Sequence, residues 1–157
     1  MNAEPGRMQY FEDVEIGTGR ETASRTLSKD EIIEFAREFD PQPFHLDEAA
    51  AKQSLYGGLI ASGWHTASVM MRLLVDTFVG RTASIGSPGF DNLRWLKPVR
   101  PGDTIRARSV CIEKTPSKSR PDLGSVKFHT EVFNQRDEVV MSLTSIGLYL
   151  KRPAQHN

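Results

Sequence analysis

Apolar and polar positions follow a helical period in the first half of the chain and a strand period in the second. Ile32, Phe35, Ala36 and Phe39 recur at helical spacing, which predicts a helix from Ser28 with one buried face. Ser28 followed by Glu31 forms a capping-box pattern: the hydroxyl accepts an otherwise unpaired N–H, and the glutamate reaches back. Pro41 and Pro43 end that helix, since neither donates a backbone hydrogen bond and each restricts the residue before it. Residues 40–44 are therefore expected to form a stiff turn. A short helix over 47–53 follows, with Asp47 as its cap. A glycine-rich loop, 56–63, leads into the most apolar stretch, 64–79, read as one long buried helix. On it His65, Arg72 and Asp76 share a polar face, and the remaining composition implies that other structure wraps most sides.

The second half reads as strands. Residues 90–96 stop before Pro98, and 104–114 start after the Pro101-Gly102-Asp103 turn. Residues 125–133 alternate, with Val126, Phe128, Thr130 and Val132 on one face and Lys127, His129 and Glu131 on the other. Residues 139–150 are apolar on both faces, as in a central strand, and 115–124 form a polar hairpin loop. An entry segment over 10–17 and a first strand over 20–27 precede the helices. The residues before Tyr10 and after Arg152 read as loose ends. This order predicts an α+β fold in which an antiparallel sheet wraps one central helix.

Composition narrows the functional classes. A chain of 157 residues suits one domain, spanning 1–157 with its core over about 10–150. Lys plus Arg and Asp plus Glu each total 20, so no overall basic field favours nucleic acid or an anionic membrane. The single cysteine, Cys111, excludes an intrachain disulfide framework and a zinc site built on several thiolates. The apolar stretch 64–79 is too short and too often interrupted for a bilayer span, which needs roughly 20 apolar residues. The N-terminus lacks the apolar core of a signal peptide. A cytoplasmic protein is expected.

The candidate chemistry lies in Asp40-Pro41-Gln42-Pro43-Phe44-His45. A carboxylate and an imidazole stand five positions apart across a turn stiffened by two prolines. Such a pair can share proton transfer, because their ordinary pKa values straddle a usable range and a rigid turn fixes their geometry. Asp before Pro at a helix end is equally ordinary turn chemistry. The second feature is Gly57-Gly58-Leu59-Ile60-Ala61-Ser62-Gly63 running into the long helix. Unpaired N–H groups at a helix start carry partial positive charge, and Gly63 lets a carbonyl oxygen approach the backbone.

Three stretches together resemble the MaoC-like dehydratase family, the (R)-specific enoyl-CoA hydratases of hot-dog fold. They are residues 40–47, residues 56–63, and Leu96-Lys97-Pro98-Val99-Arg100-Pro101-Gly102-Asp103. The resemblance runs from Tyr10 to about Leu150. It implies an antiparallel sheet around a central helix, and syn addition of water to a trans-2-enoyl thioester, or its reverse, in fatty acid metabolism. Asp40 and His45 match the catalytic pair. Gly63 matches the glycine whose N–H polarises the thioester carbonyl. The resemblance further implies an acyl-CoA substrate, no metal or redox cofactor, and a homodimer. Two positions depart from the family pattern: Gln42 where an asparagine is usual, and Ser62 where many members have histidine. Both are taken as substrate-binding positions, and both bear on which acyl group is used, branched and dicarboxylic groups included. Two other readings of the same fold are an acyl-CoA thioesterase and a non-catalytic acyl-CoA-binding subunit.

Other residues carry plainer expectations. His65 is expected at the solvent or an interface, His129 on a solvated strand face, and Cys111 as a buried inert thiol. Met70 and Met71 are expected to pack in the core. Arg94, Lys97 and Arg100 either meet coenzyme A phosphates or protect a strand edge with charge.

Overall fold

The computed structural model describes residues 6–155. Two short strands, β1 (Gly19–Glu21) and β2 (Arg25–Thr26), are followed by helices α1 (Lys29–Phe39), α2 (Pro43–Leu46), α3 (Glu48–Gln53) and α4 (Gly63–Thr77). Four long strands then complete the fold: β3 (Ser84–Trp95), β4 (Thr104–Pro116), β5 (Leu123–Phe133) and β6 (Val139–Leu150). All pair antiparallel in the order β1-β4-β5-β6-β3, with β2 also on β4. The helix α4 packs against this sheet, its Val69, Met70, Leu73 and Leu74 meeting Ile105, Ala107, Val132, Met141 and Leu143 in one core. This is the hot-dog arrangement of sheet and central helix.

Local signals hold where the interactions are local. Ser28 caps α1 by accepting the Glu31 N–H, and the Glu31 carboxylate accepts the Ser28 N–H. Asp47 caps α3 by accepting from Ala49 and Ala50. Strand β6 spans the expected residues and lies between β5 and β3. At the Pro101-Gly102-Asp103 turn Gly102 takes φ +85°, a left-handed conformation that glycine accepts without strain.

Several expectations are corrected. The single strand over 20–27 is two pieces: at Thr22 the backbone N–H still donates to the Ala107 carbonyl, but the Thr22 Oγ1, and not a backbone carbonyl, accepts the Ala107 N–H at 2.9 Å. Pro43 begins a helical turn instead of extending the stiff one, since its missing N–H costs nothing at a first helical position. Phe39, on the predicted buried face of α1, is 65% exposed, because α1 runs past the edge of the core there. Finally, this chain covers only one side of α4: Trp64, Met71 and Val75 lie exposed along the other, so Met71 is not a core residue. His65 departs in the opposite direction. It is buried and stacked on Phe35, with ring centroids 4.7 Å apart, because α1 covers the first turns of α4. Arg72 and Asp76 lie beyond that cover and pair in the open.

Candidate active site

Asp40 is the residue that terminates α1, and its N–H still closes the last helical bond to Ala36. The turn through Pro41 and Gln42 then delivers His45 to the one-turn helix α2. The loop before α4 is tied down on both sides: Ile60 N–H donates to Phe44 and Ala61 N–H to Val99. That places the Ile60 carbonyl against His45, where it accepts from Nδ1 at 2.7 Å. A carbonyl can only accept, so Nδ1 carries the proton and Nε2 is left to exchange one. Nε2 lies 3.2 Å from Asp40 Oδ2 and forms an ion pair with it when protonated. His45 is buried, and Phe44 stands edge-on to it at 4.6 Å.

Three groups converge on Asp40. Besides His45, Gln42 Nε2 donates to Oδ1 at 2.6 Å and Ser62 Oγ donates to Oδ2 at 2.7 Å. Partial burial works to raise the Asp40 pKa. The two side-chain hydrogen bonds and the charge on His45 outweigh it and hold the carboxyl below its ordinary value. Asp40 is therefore an anion throughout the neutral range.

These groups face a cavity of about 570 Å3. Asp40, Gln42, His45 and Gly63 line it together with Phe44, Tyr56, Trp64 and Trp95. Ser62, expected at the substrate, is fully buried behind Asp40 and does not line the cavity; its hydroxyl serves the carboxylate and not the helix start it precedes. Gly63 opens α4, and among the described residues its N–H meets no protein acceptor. Its missing side chain has a second reason. A Cβ there would lie 2.4 Å from the Trp95 indole, whose Nε1 donates to the Gly63 carbonyl at 3.0 Å.

Of the three basic candidates, only Lys97 lines the cavity, and it pairs with Glu138. Arg100 donates to the Tyr56 carbonyl at 2.6 Å and so holds the glycine loop. Arg94 is exposed on β3. Asp47 serves as the α3 cap. Cys111 is buried in the second, smaller core, where burial pushes its thiol pKa up. His129 lies half-buried on β5. Sequence reasoning missed Ile60 and Trp95. A backbone carbonyl has no sequence signature. Nothing local to Trp95, which is 32 positions from Gly63, announces that contact.

The MaoC like domain model matches residues 12–132. A MaoC-like dehydratase from Rhodospirillum rubrum has a solved structure that superposes with a TM-score of 0.87 at 44% identity, over 92% of this chain and 99% of that one. Protein MaoC of Klebsiella aerogenes is 36% identical over 113 residues, 71% of this chain; the chain spans 33% of that protein's length. The 3-hydroxybutyryl-CoA dehydratase of Methylorubrum extorquens is 31% identical over 118 residues, 74% of this chain and 73% of that protein. With its paired carboxylate and imidazole at the mouth of the central helix and a match covering most of its length, this chain belongs to the MaoC-like domain family.

Proposed function

We propose that the protein is an (R)-specific enoyl-CoA hydratase, or 3-hydroxyacyl-CoA dehydratase in the reverse direction. The observation that carries this reading is the Asp40–His45 pair, 3.2 Å apart, with the tautomer of His45 set by Ile60. In the hydration direction a water held between the Asp40 carboxylate and His45 Nε2 attacks C3 of the enoyl thioester. Its oxygen forms the C3–O bond, and the π pair moves to C2 and the thioester oxygen as an enolate. The water's proton passes to the Asp40–His45 pair and from there to C2, completing a hydroxyl at C3 and a hydrogen at C2. Because one water on one face supplies both, the addition is syn. The Gly63 N–H, at the positive end of α4, faces the enolate oxygen and stabilises it. The dehydratase name of the Methylorubrum extorquens relative and of the Rhodospirillum rubrum structure supports this reaction class.

The chain acts as a homodimer on this reading. Trp64, Met71 and Val75 leave an apolar stripe on α4 exposed, and β3 ends the sheet with Phe90 and Trp95 also exposed. A second copy placed along β3 covers both, which removes an apolar patch and an unpaired strand edge together.

The test uses crotonyl-CoA and longer or branched enoyl-CoAs, following loss of the conjugated thioester absorbance with a thiol reagent in parallel. Absorbance loss without free thiol, giving the (3R)-alcohol, is the expected result. Release of free thiol would move the protein to the thioesterases. Asp40→Asn and His45→Gln should each keep the fold and lower turnover by roughly 10²-fold or more, the lower range for a positioned acid or base. Near-normal turnover in both variants removes the assigned roles.

A further inference from the structure

A second cavity, of about 520 Å3, shares no lining residue with the first. The two open at opposite ends of α4. Gly63, its first residue, lines one, and Phe78, just past its last turn, lines the other. Fifteen residues of helix separate these ends by roughly 22 Å.

The roof of this cavity is the segment before β1. Gln9 ties it to the sheet, donating to the Arg81 carbonyl and accepting from Ala83, and the Lys114 ammonium donates to the Val14 carbonyl at 2.8 Å. The floor is apolar, built from Phe78, Cys111, Phe128 and Tyr149. Buried hydroxyls of Thr82 and Ser109 stand in the wall. Such a size is that of small-molecule sites, and the cavity joins this apolar floor to a charged rim that carries Arg7, Glu12, Asp13, Glu15 and Arg20.

Charge selects the ligand. The Arg20 guanidinium is half-buried over the Phe78 ring, 5.6 Å from its centroid. It donates to the neutral Gln9 amide oxygen at 2.9 Å, and among the described residues no carboxylate pairs with it. Of the acids at the rim, Asp13 pairs with the Arg152 guanidinium at 2.5 Å and feels the charge of Arg7, while Glu12 accepts from the Arg152 N–H at 3.0 Å and Glu15 from Thr18. Burial raises the pKa of both the Tyr149 phenol and the Cys111 thiol, so neither supplies an anion near neutral pH. One neutral acceptor meets this guanidinium, so its other donors face the cavity and its solvent, open to an anionic ligand. We propose that this cavity binds a small monocarboxylate with an apolar body, a fatty or aromatic acid. Its carboxylate pairs with Arg20 and its body packs on Phe78 and Phe128.

The test is titration of 15N-labelled protein with hexanoate, with benzoate, and with hexylammonium as the opposite charge, following backbone amide shifts. Saturable shifts at Thr82, Ser109, Cys111 and Phe128 with either acid, and none with hexylammonium, are expected. Arg20→Gln should keep the folded spectrum and weaken acid binding by at least about tenfold, the loss of a charge-assisted pair. Arg20→Glu should exchange the preference to hexylammonium. No saturable shift with either acid up to about 10 mM, weaker than specific small-molecule binding, overturns the proposal. So do shifts confined to the Asp40 cavity, equal response to both charges, or unchanged binding in Arg20→Gln.

Discussion

Replacing Gly63 by alanine tests whether Trp95 or the substrate makes that glycine necessary. The added Cβ would stand 2.4 Å from an indole ring carbon and 2.6 Å from Nε1. Ordinary contact is about 3.5–4.0 Å, so more than 1 Å of room is missing. The indole can yield only by giving up the bond from its N–H to the Gly63 carbonyl and its edge-on contact with Trp64 at 5.0 Å. Overpacking of this kind costs about 1–3 kcal/mol. Alanine's better helix propensity recovers up to about 1 kcal/mol, less at a first helical position. The net loss is about 1–2 kcal/mol, and at about 2–4 °C per kcal/mol in a chain of this size, Tm falls by about 2–8 °C. The same strain displaces the first turn of α4, and an N–H moved by about 1 Å costs on the order of 10²-fold in turnover. Trp95→Leu clears the ring, so a double-mutant cycle read by thermal denaturation should show strong coupling, with Gly63→Ala nearly harmless to Tm in the Trp95→Leu background. Additive losses in the cycle, or a Gly63→Ala protein with unchanged Tm and turnover, would refute the reasoning.

Three further outcomes are expected. Ser62→Ala removes one of the hydrogen bonds that hold the Asp40 pKa down, so that pKa rises and the acid limb of kcat/KM moves to higher pH; an unmoved limb in the pH–rate profile would show that Asp40 ionisation does not govern activity. Burial first, with Arg25 adding to it against the opposing charge of Glu31, lowers the His65 pKa. The unfolded chain then binds more protons below about pH 6.5, so stability is full above that value and falls as pH drops toward the folded pKa. Tm measured from pH 7 to pH 5, a range set by the ordinary histidine value, should therefore fall more steeply in the wild type than in His65→Leu, and parallel profiles would contradict this. Ser28→Ala removes the α1 cap and should cost about 1 kcal/mol, or about 2–4 °C in Tm, with turnover retained; a loss below about 0.3 kcal/mol would mean the capping box is idle.

Sequence alone determined what depends on neighbours in the chain. The Ser28 and Asp47 caps, the end of α1 at Asp40 and the span of β6 rest on interactions within a few residues or on strand alternation. Asp40 and His45 were legible as a pair because a five-residue turn with two prolines has few conformations. Tertiary structure decided everything that joins distant segments. It set Ser62 on Asp40 across 22 residues, the Ile60 carbonyl on His45 across 15, and Trp95 on Gly63 across 32. It also decided which apolar faces are covered, burying His65 beneath α1 while leaving Phe39 and Met71 exposed. Hydrophobic periodicity states that a face is apolar. Only the packed fold supplies the atoms that cover it, because burial is a property of the approach of two segments and not of either one.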